Sequence, residues 1–183
     1  MSRPEVLELQ VGEMRQLFNA MDPAPFRERD LDPNAEAYVV GWAREAPKQG
    51  RLALSVQLTR EAVEPPSVAL LRDAVHAYFR YRASATRRQL RLLFRTGRIS
   101  LVIGLAFLAL AILAGELLAG LVSHESYAGI IKESLVIGGW VALWRPIEIF
   151  LYDWWPILGD ARLYERLAQM EVGVAGAPAG SPR

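Results

Sequence analysis

From Ile99 to Val122 the chain reads ISLVIGLAFLALAILAGELLAGLV, 24 residues with one charged side chain, Glu116. An α-helix rises about 1.5 Å per residue, so this run crosses a hydrocarbon core of about 30 Å with a little tilt. The alternative is the buried core helix of a soluble domain. A chain of 183 residues would struggle to cover so long an apolar helix on every side, and such runs are rare in soluble proteins. A transmembrane helix over 99–122 is expected, and it limits what the rest of the chain can be.

The second apolar segment is less clean. After the short link 123–129, the stretch from Ile130 to Leu158 contains Lys132, Glu133, Arg145, Pro146, Glu148 and Asp153. Two readings fit. Either a span ends near Trp144 (130–145) and Pro146 opens a separate helix, or one kinked helix runs from about Ser134 to Tyr152. Proline lacks a donor and suits the first turn of a helix better than its interior. Four of the five tryptophans, Trp140, Trp144, Trp154 and Trp155, fall here, and tryptophan prefers the headgroup level. The favoured reading is a span followed by an amphipathic interfacial segment over 146–171, with Ile147, Phe150, Leu151, Trp154 and Leu158 on its apolar stripe.

Seven arginines and no acid lie between Arg80 and Arg98. Positive flanks stay cytoplasmic, so a helical hairpin in a cell inner membrane is expected, with both termini cytoplasmic. MSRPEVLELQ has acids and no long apolar core, unlike a signal peptide. The net charge of +1 carries little information by itself, and the chain has no cysteine and two histidines, His76 and His124. That removes disulfides, thiolate metal sites and cysteine nucleophiles.

Residues 1–64 read as a small cytoplasmic α+β head. Val6–Val11 and Arg51–Leu58 alternate apolar and polar residues as two strands. A short helix is expected over Glu13–Met21, with Met14, Leu17, Phe18 and Met21 on one side. Asp32 followed by Pro33 is a helix start, for a helix to about Ala46 burying Ala37, Val40 and Trp42 or Ala43. Two strands are marginal alone, so they either pair with each other or extend a sheet across subunits. The tail 172–183, rich in glycine, alanine and proline, is expected to be disordered.

Pro65 and Pro66 open a long helix, 65–98, that runs on into the first span. Arg80, Arg87, Arg91, Arg95 and Arg98 are 7, 4, 4 and 3 residues apart and share one helix face. Leu71, Val75, Tyr78, Ala85 and Leu93 lie opposite. Upright, such a helix would lift Arg80 about 27 Å from Arg98, beyond the screening length of about 8 Å. Contact between the whole stripe and anionic lipid would need a tilted helix. The plainer alternative is a topology signal with a solvated face. A nucleic-acid partner is not expected, because no recognisable module accompanies the arginines.

Glu116 and Lys132 lie at matching depths, about 9 and 8 Å inside the outer boundary. A pair tying the two helices is favoured over an ion pathway. Arg145 and Glu148, three apart, can pair, and Arg145 at the inner headgroup level can meet lipid phosphate; Trp144, Trp154 and Trp155 are expected at the same level. Gly104, Gly138 and Gly139 thread the spans. Ala111, Gly115 and Ala119 form a small-xxx-small stripe that permits close helix contact.

The chemistry is otherwise sparse. Asp30, Asp32 and Asn34 imitate the start of a calcium loop, but Ala35 and Gly41 stand where glycine and glutamate belong. No nucleotide, hydrolase or metalloprotease motif appears, and adjacent Ser123, His124 and Glu125 do not make a triad. No enzyme activity, cofactor or metal site is expected. The sequence points to a non-enzymatic membrane anchor, scaffold or assembly subunit, acting as a homo-oligomer or within a larger complex. The alternative is a homo-oligomeric channel or small transporter subunit.

Overall fold

The computed structural model describes the chain except residues 1–3, 24, 26–28, 48–49, 61–64, 122–124 and 177–183. It is mostly helical with one small sheet, and it divides into two compact units: residues 1–86 with 159–183, and residues 87–158.

The first unit is built on a three-stranded, wholly parallel sheet in the order β1-β2-β3, formed by Glu5–Val11, Leu52–Leu58 and Glu171–Gly176. β2 is central. Leu7 pairs with Leu54 and Leu54 with Val172, so side chains of all three strands share each face. Leu52, Leu54, Val56 and Leu58 are buried with Leu7, and Leu9, Val11, Val172 and Val174 pack against the same core.

The third strand corrects the disordered-tail expectation over residues 172–176. Val172 and Val174 alternate with small residues, and a partner more than a hundred positions earlier supplies the backbone hydrogen bonds. The rest of the tail lies outside the described residues. Two-strand pairing also becomes three-strand pairing, which answers the marginality of an isolated pair.

The helix α1, Pro33–Glu45, starts where the Asp32-Pro33 signal placed it. Asp32 accepts from the amides of Asn34 and Ala35, satisfying two of the donors that a helix N-terminus leaves open. Its buried residues are Val39, Val40 and Ala43, while Ala37 is exposed. The short helix expected over Glu13–Met21 is only a 3-10 turn, Met14–Leu17. Phe18 then leaves in extended conformation to bridge Leu31, and Met21 is 88% exposed. The backbone bonds that would continue the helix go to the facing segment, Asn19 N to Asp30 O and Asp32 N to Leu17 O.

The helix α2 runs without a break from Pro65 to Leu121. Its first part belongs to the head, so the compact unit extends past residue 64 and takes in Leu71, Ala74, Val75, Tyr78, Phe79 and Ala83. Leu163, Tyr164, Leu167 and Met170 complete this core from the C-terminal side.

In the second unit, α3 (Glu125–Ala142) follows α2. A turn at Leu143 leads to α4, Trp144–Glu148, a π-helical turn, Ile149–Asp153, and α5, Trp154–Leu167, which belongs to the first unit from Gly159 onward. α3 ends at Ala142, four residues before Pro146, which has no N–H to give the Ala142 carbonyl. Two helices, within Val68–Leu118 and Gly129–Leu167, are long and apolar enough to cross a membrane. In their most apolar windows only 17% and 22% of residues are buried, so neither is a covered core helix.

Candidate functional site

The second unit is held along a line of residues without bulky side chains. A Cβ on Gly97 would stand 2.8 Å from Ile149 Cγ2, and one on Gly104 would stand 3.0 Å from the Ala142 carbonyl oxygen. On α3, a Cβ on Gly139 would meet Leu108 Cδ1 at 2.5 Å and Leu108 Cα at 3.1 Å. Gly115 faces Lys132 at ordinary contact distance, and Ala111 is buried. Of the stripe singled out in the sequence, Ala111 and Gly115 lie on this seam, and the Ala119 side chain is outside the described residues. Gly97 was missed. It stands seven before Gly104, which stands seven before Ala111, the seam period of supercoiled helices, and so lies outside any four-residue spacing of small residues. A Cβ on Gly138 would meet nothing within 4 Å.

The charged residues of this unit separate into two kinds. Lys132 Nζ lies 3.4 Å from Glu116 Oε1, with both side chains about half exposed. Arg145 Nη1 meets two carboxylates, Glu148 Oε2 at 3.2 Å and Asp153 Oδ2 at 3.1 Å. The Trp144 indole donates to the second Glu148 oxygen at 2.9 Å. Asp153 had no assigned role in the sequence, because a regular helix would turn it well off the face of Arg145. The π turn between them takes up an extra residue and brings it back.

The other kind is uncompensated. Arg91, Arg95 and Arg98 are exposed, and no ion pair among the described residues uses them. Arg91 and Arg98 flank a cleft of about 420 Å³ floored by Phe94 and Phe150. Those two rings stack with centroids 6.2 Å apart, and Phe94 also lies 6.4 Å from Trp154. Trp154 is half-buried and donates to the Phe150 carbonyl at 2.9 Å, whereas Trp144 and Trp155 are exposed. A second cleft of about 320 Å³ includes Gly104, Phe107 and the already paired Arg145. Arg87 is exposed in the same unit.

In the first unit, Arg80 is exposed and its Nε donates back to the His76 carbonyl. His76 Nε2 donates to the Met170 carbonyl at 2.8 Å, a structural tie to the segment just before β3. The same unit holds a polar cluster that no local pattern announces. Tyr78 donates to Glu36 Oε2 at 2.7 Å, and Arg82 Nη2 approaches Glu36 Oε1 at 2.7 Å. Arg82 also donates to the Tyr164 hydroxyl at 3.2 Å and lies over that ring. Burial, then the Glu36 carboxylate, push the Tyr78 hydroxyl well above the ordinary tyrosine range. Burial works against the charge of Arg82, but Glu36 and Tyr164 outweigh it and raise its pKa. These partners lie 42 and 82 residues apart, beyond any local motif.

Among the described residues no three acids or histidines are grouped to hold a metal ion. Asp32 is used as a helix cap, and Asp22 Oδ2 accepts from the Asp30 amide at 2.7 Å. Ser123 and His124 lie outside the described residues. No family model matches the chain, and no match was found among curated proteins or solved structures.

Proposed function

We propose that this chain is a non-enzymatic membrane protein of two spans. Its helical hairpin crosses a cell inner membrane, leaves both termini in the cytoplasm and anchors the α+β head there as a scaffold or assembly subunit. The observation that carries this reading is the inverted surface of the hairpin: Val102, Ile103, Leu105, Phe107, Leu110, Leu113, Ile137 and Val141 are all more than half exposed. In water such a surface far exceeds what a monomer normally leaves open; in hydrocarbon it costs nothing. The arginines that follow the head set the cytoplasmic side, and the bilayer, with anionic lipid on that side, is the first partner.

A protein partner is the second. Wholly parallel sheets are normally covered on both faces, but the outer face here is open at Val6, Glu8 and Gln10 on β1 and at Glu171, Gly173 and Ala175 on β3. That face gives the head somewhere to bind. The alternative, a homo-oligomeric channel or small transporter subunit, would ring Glu116, Lys132 and Glu133 at its outer mouth.

The test is the native mass of the chain extracted gently from its own membranes. A stoichiometric complex with another protein, or a small homo-oligomer, is expected. A homogeneous ring of many copies that conducts ions after reconstitution would replace the anchor by a pore. Turnover of a substrate by the purified chain would overturn the non-enzymatic reading.

A further inference from the structure

From the second unit we infer that the cleft between Arg91 and Arg98 is a headgroup site for an anionic phospholipid; this rests on the membrane reading above. The two arginines sit two helical turns apart on one face, about 10 Å along the axis, and their long side chains can converge on one phosphate. Guanidinium groups suit phosphate because their donors are planar and paired. Beneath them the stacked Phe94 and Phe150 rings give the cleft an apolar floor, suited to the glycerol and upper acyl region. A free phosphate in water would find the charge but no use for the floor. Directly beyond Arg98 begins the exposed apolar surface of α2, Ile99 and Val102, along which acyl chains continue.

The choice of arginines follows from their partners. Arg145 also borders a cleft, but two carboxylates neutralise it, and an incoming phosphate would have to displace both. Arg91 and Arg98 have no acid to displace among the described residues. Arg95 is also exposed and lies on the same stripe but does not line the cleft. It therefore serves as the internal control for charge without a site.

The experiment titrates the detergent-solubilised full chain with phosphatidylglycerol and with phosphatidylcholine and counts bound lipid by native mass spectrometry. Wild type is expected to prefer the anionic lipid, and R91Q/R98Q to lose that preference, by about fivefold per arginine. R80Q/R95Q removes the same formal charge and is expected to keep most of it. Glycerol 3-phosphate is expected not to compete. Equal binding of both lipids by wild type, equal loss in the two double variants, or displacement by glycerol 3-phosphate would each overturn the inference. R91Q and R98Q singly preserve the comparison if the double variant does not fold. Flotation with phosphatidylcholine vesicles separates the two claims: a chain that floats but shows no anionic preference loses only this site, and one that does not float loses the membrane reading as well.

Discussion

Between residues 71 and 83, α2 buries Leu71, Ala74, Val75, Tyr78, Phe79 and Ala83 and turns Arg72, Asp73 and Arg80 outward. Between 97 and 115 the same helix buries Gly97, Gly104, Ala111 and Gly115 and turns Val102, Ile103, Leu105, Phe107 and Leu110 outward. The first part follows the rule for water, in which large apolar side chains leave the solvent. The second follows the rule for lipid, in which burying leucine brings no solvent gain and close backbone approach at small residues holds helices together. Outside the first unit, the buried apolar side chains among the described residues are few: Ala111, Leu143, Pro146 and Ile149. The contrast teaches that one uninterrupted helix can carry two packing codes, and the code changes near the arginines, where the proposed membrane anchor would meet the bilayer surface.

The sharpest way to break this comparison is to remove the same side chain from each part. Leu71 is completely buried and Leu110 is 64% exposed. L71A is expected to cost about 2–5 kcal/mol, the usual range for a buried leucine. L110A is expected to cost less than about 0.5 kcal/mol. Thermal unfolding of the detergent-solubilised chain reads both, and equal losses would mean that the two parts follow one code.

Glycines sharpen the second code. An alanine at 104 would press on the Ala142 carbonyl, whereas at 138 it would meet nothing within 4 Å. G104A is expected to cost about 1–3 kcal/mol through overpacking, and G138A to be neutral or mildly stabilising. The same unfolding assay decides it, and a tolerant Gly104 would refute the close seam.

The head's polar cluster provides a smaller, pH-dependent test. E36Q removes a charged acceptor from Tyr78 and Arg82 and is expected to cost about 1–2 kcal/mol, reduced from the buried range because Arg82 is partly exposed. Tyr78 holds its proton more tightly when folded than unfolded. Stability from that difference is therefore present below about pH 10, where an unfolded tyrosine titrates, and declines as pH rises above it. A pH series of head stability should show this alkaline loss in wild type and not in Y78F.

Much of this fold was legible because its signals are local. The first apolar run, the Asp32-Pro33 start of α1, the alternating strands and the one-faced arginines each need only a few neighbouring residues to be read. What was not legible depends on distant partners. The Val-Gly-Val-Ala stretch becomes β3 only because β2 offers an edge, and by composition alone it looks like a linker. Asp153 reaches Arg145 only through a π turn that no residue type announces, and Arg82 finds Glu36 and Tyr164 only after the head has closed. At the candidate site, the arginines were visible as a stripe. Which of them has no carboxylate partner among the described residues became visible only in three dimensions, and it separates Arg91 and Arg98 from Arg145.

The central claim is that α2 and α3 form a membrane hairpin with both ends on one side. The chain has no cysteine, so single cysteines can be introduced without background. Y38C in the head, S126C in the first turn of α3 and Q169C after α5 should then be probed in intact cells with a membrane-impermeant maleimide. The account predicts labelling of S126C alone until the cells are permeabilised, after which Y38C and Q169C label as well. Identical labelling of all three before and after permeabilisation, or recovery of the chain in the soluble fraction, would contradict it.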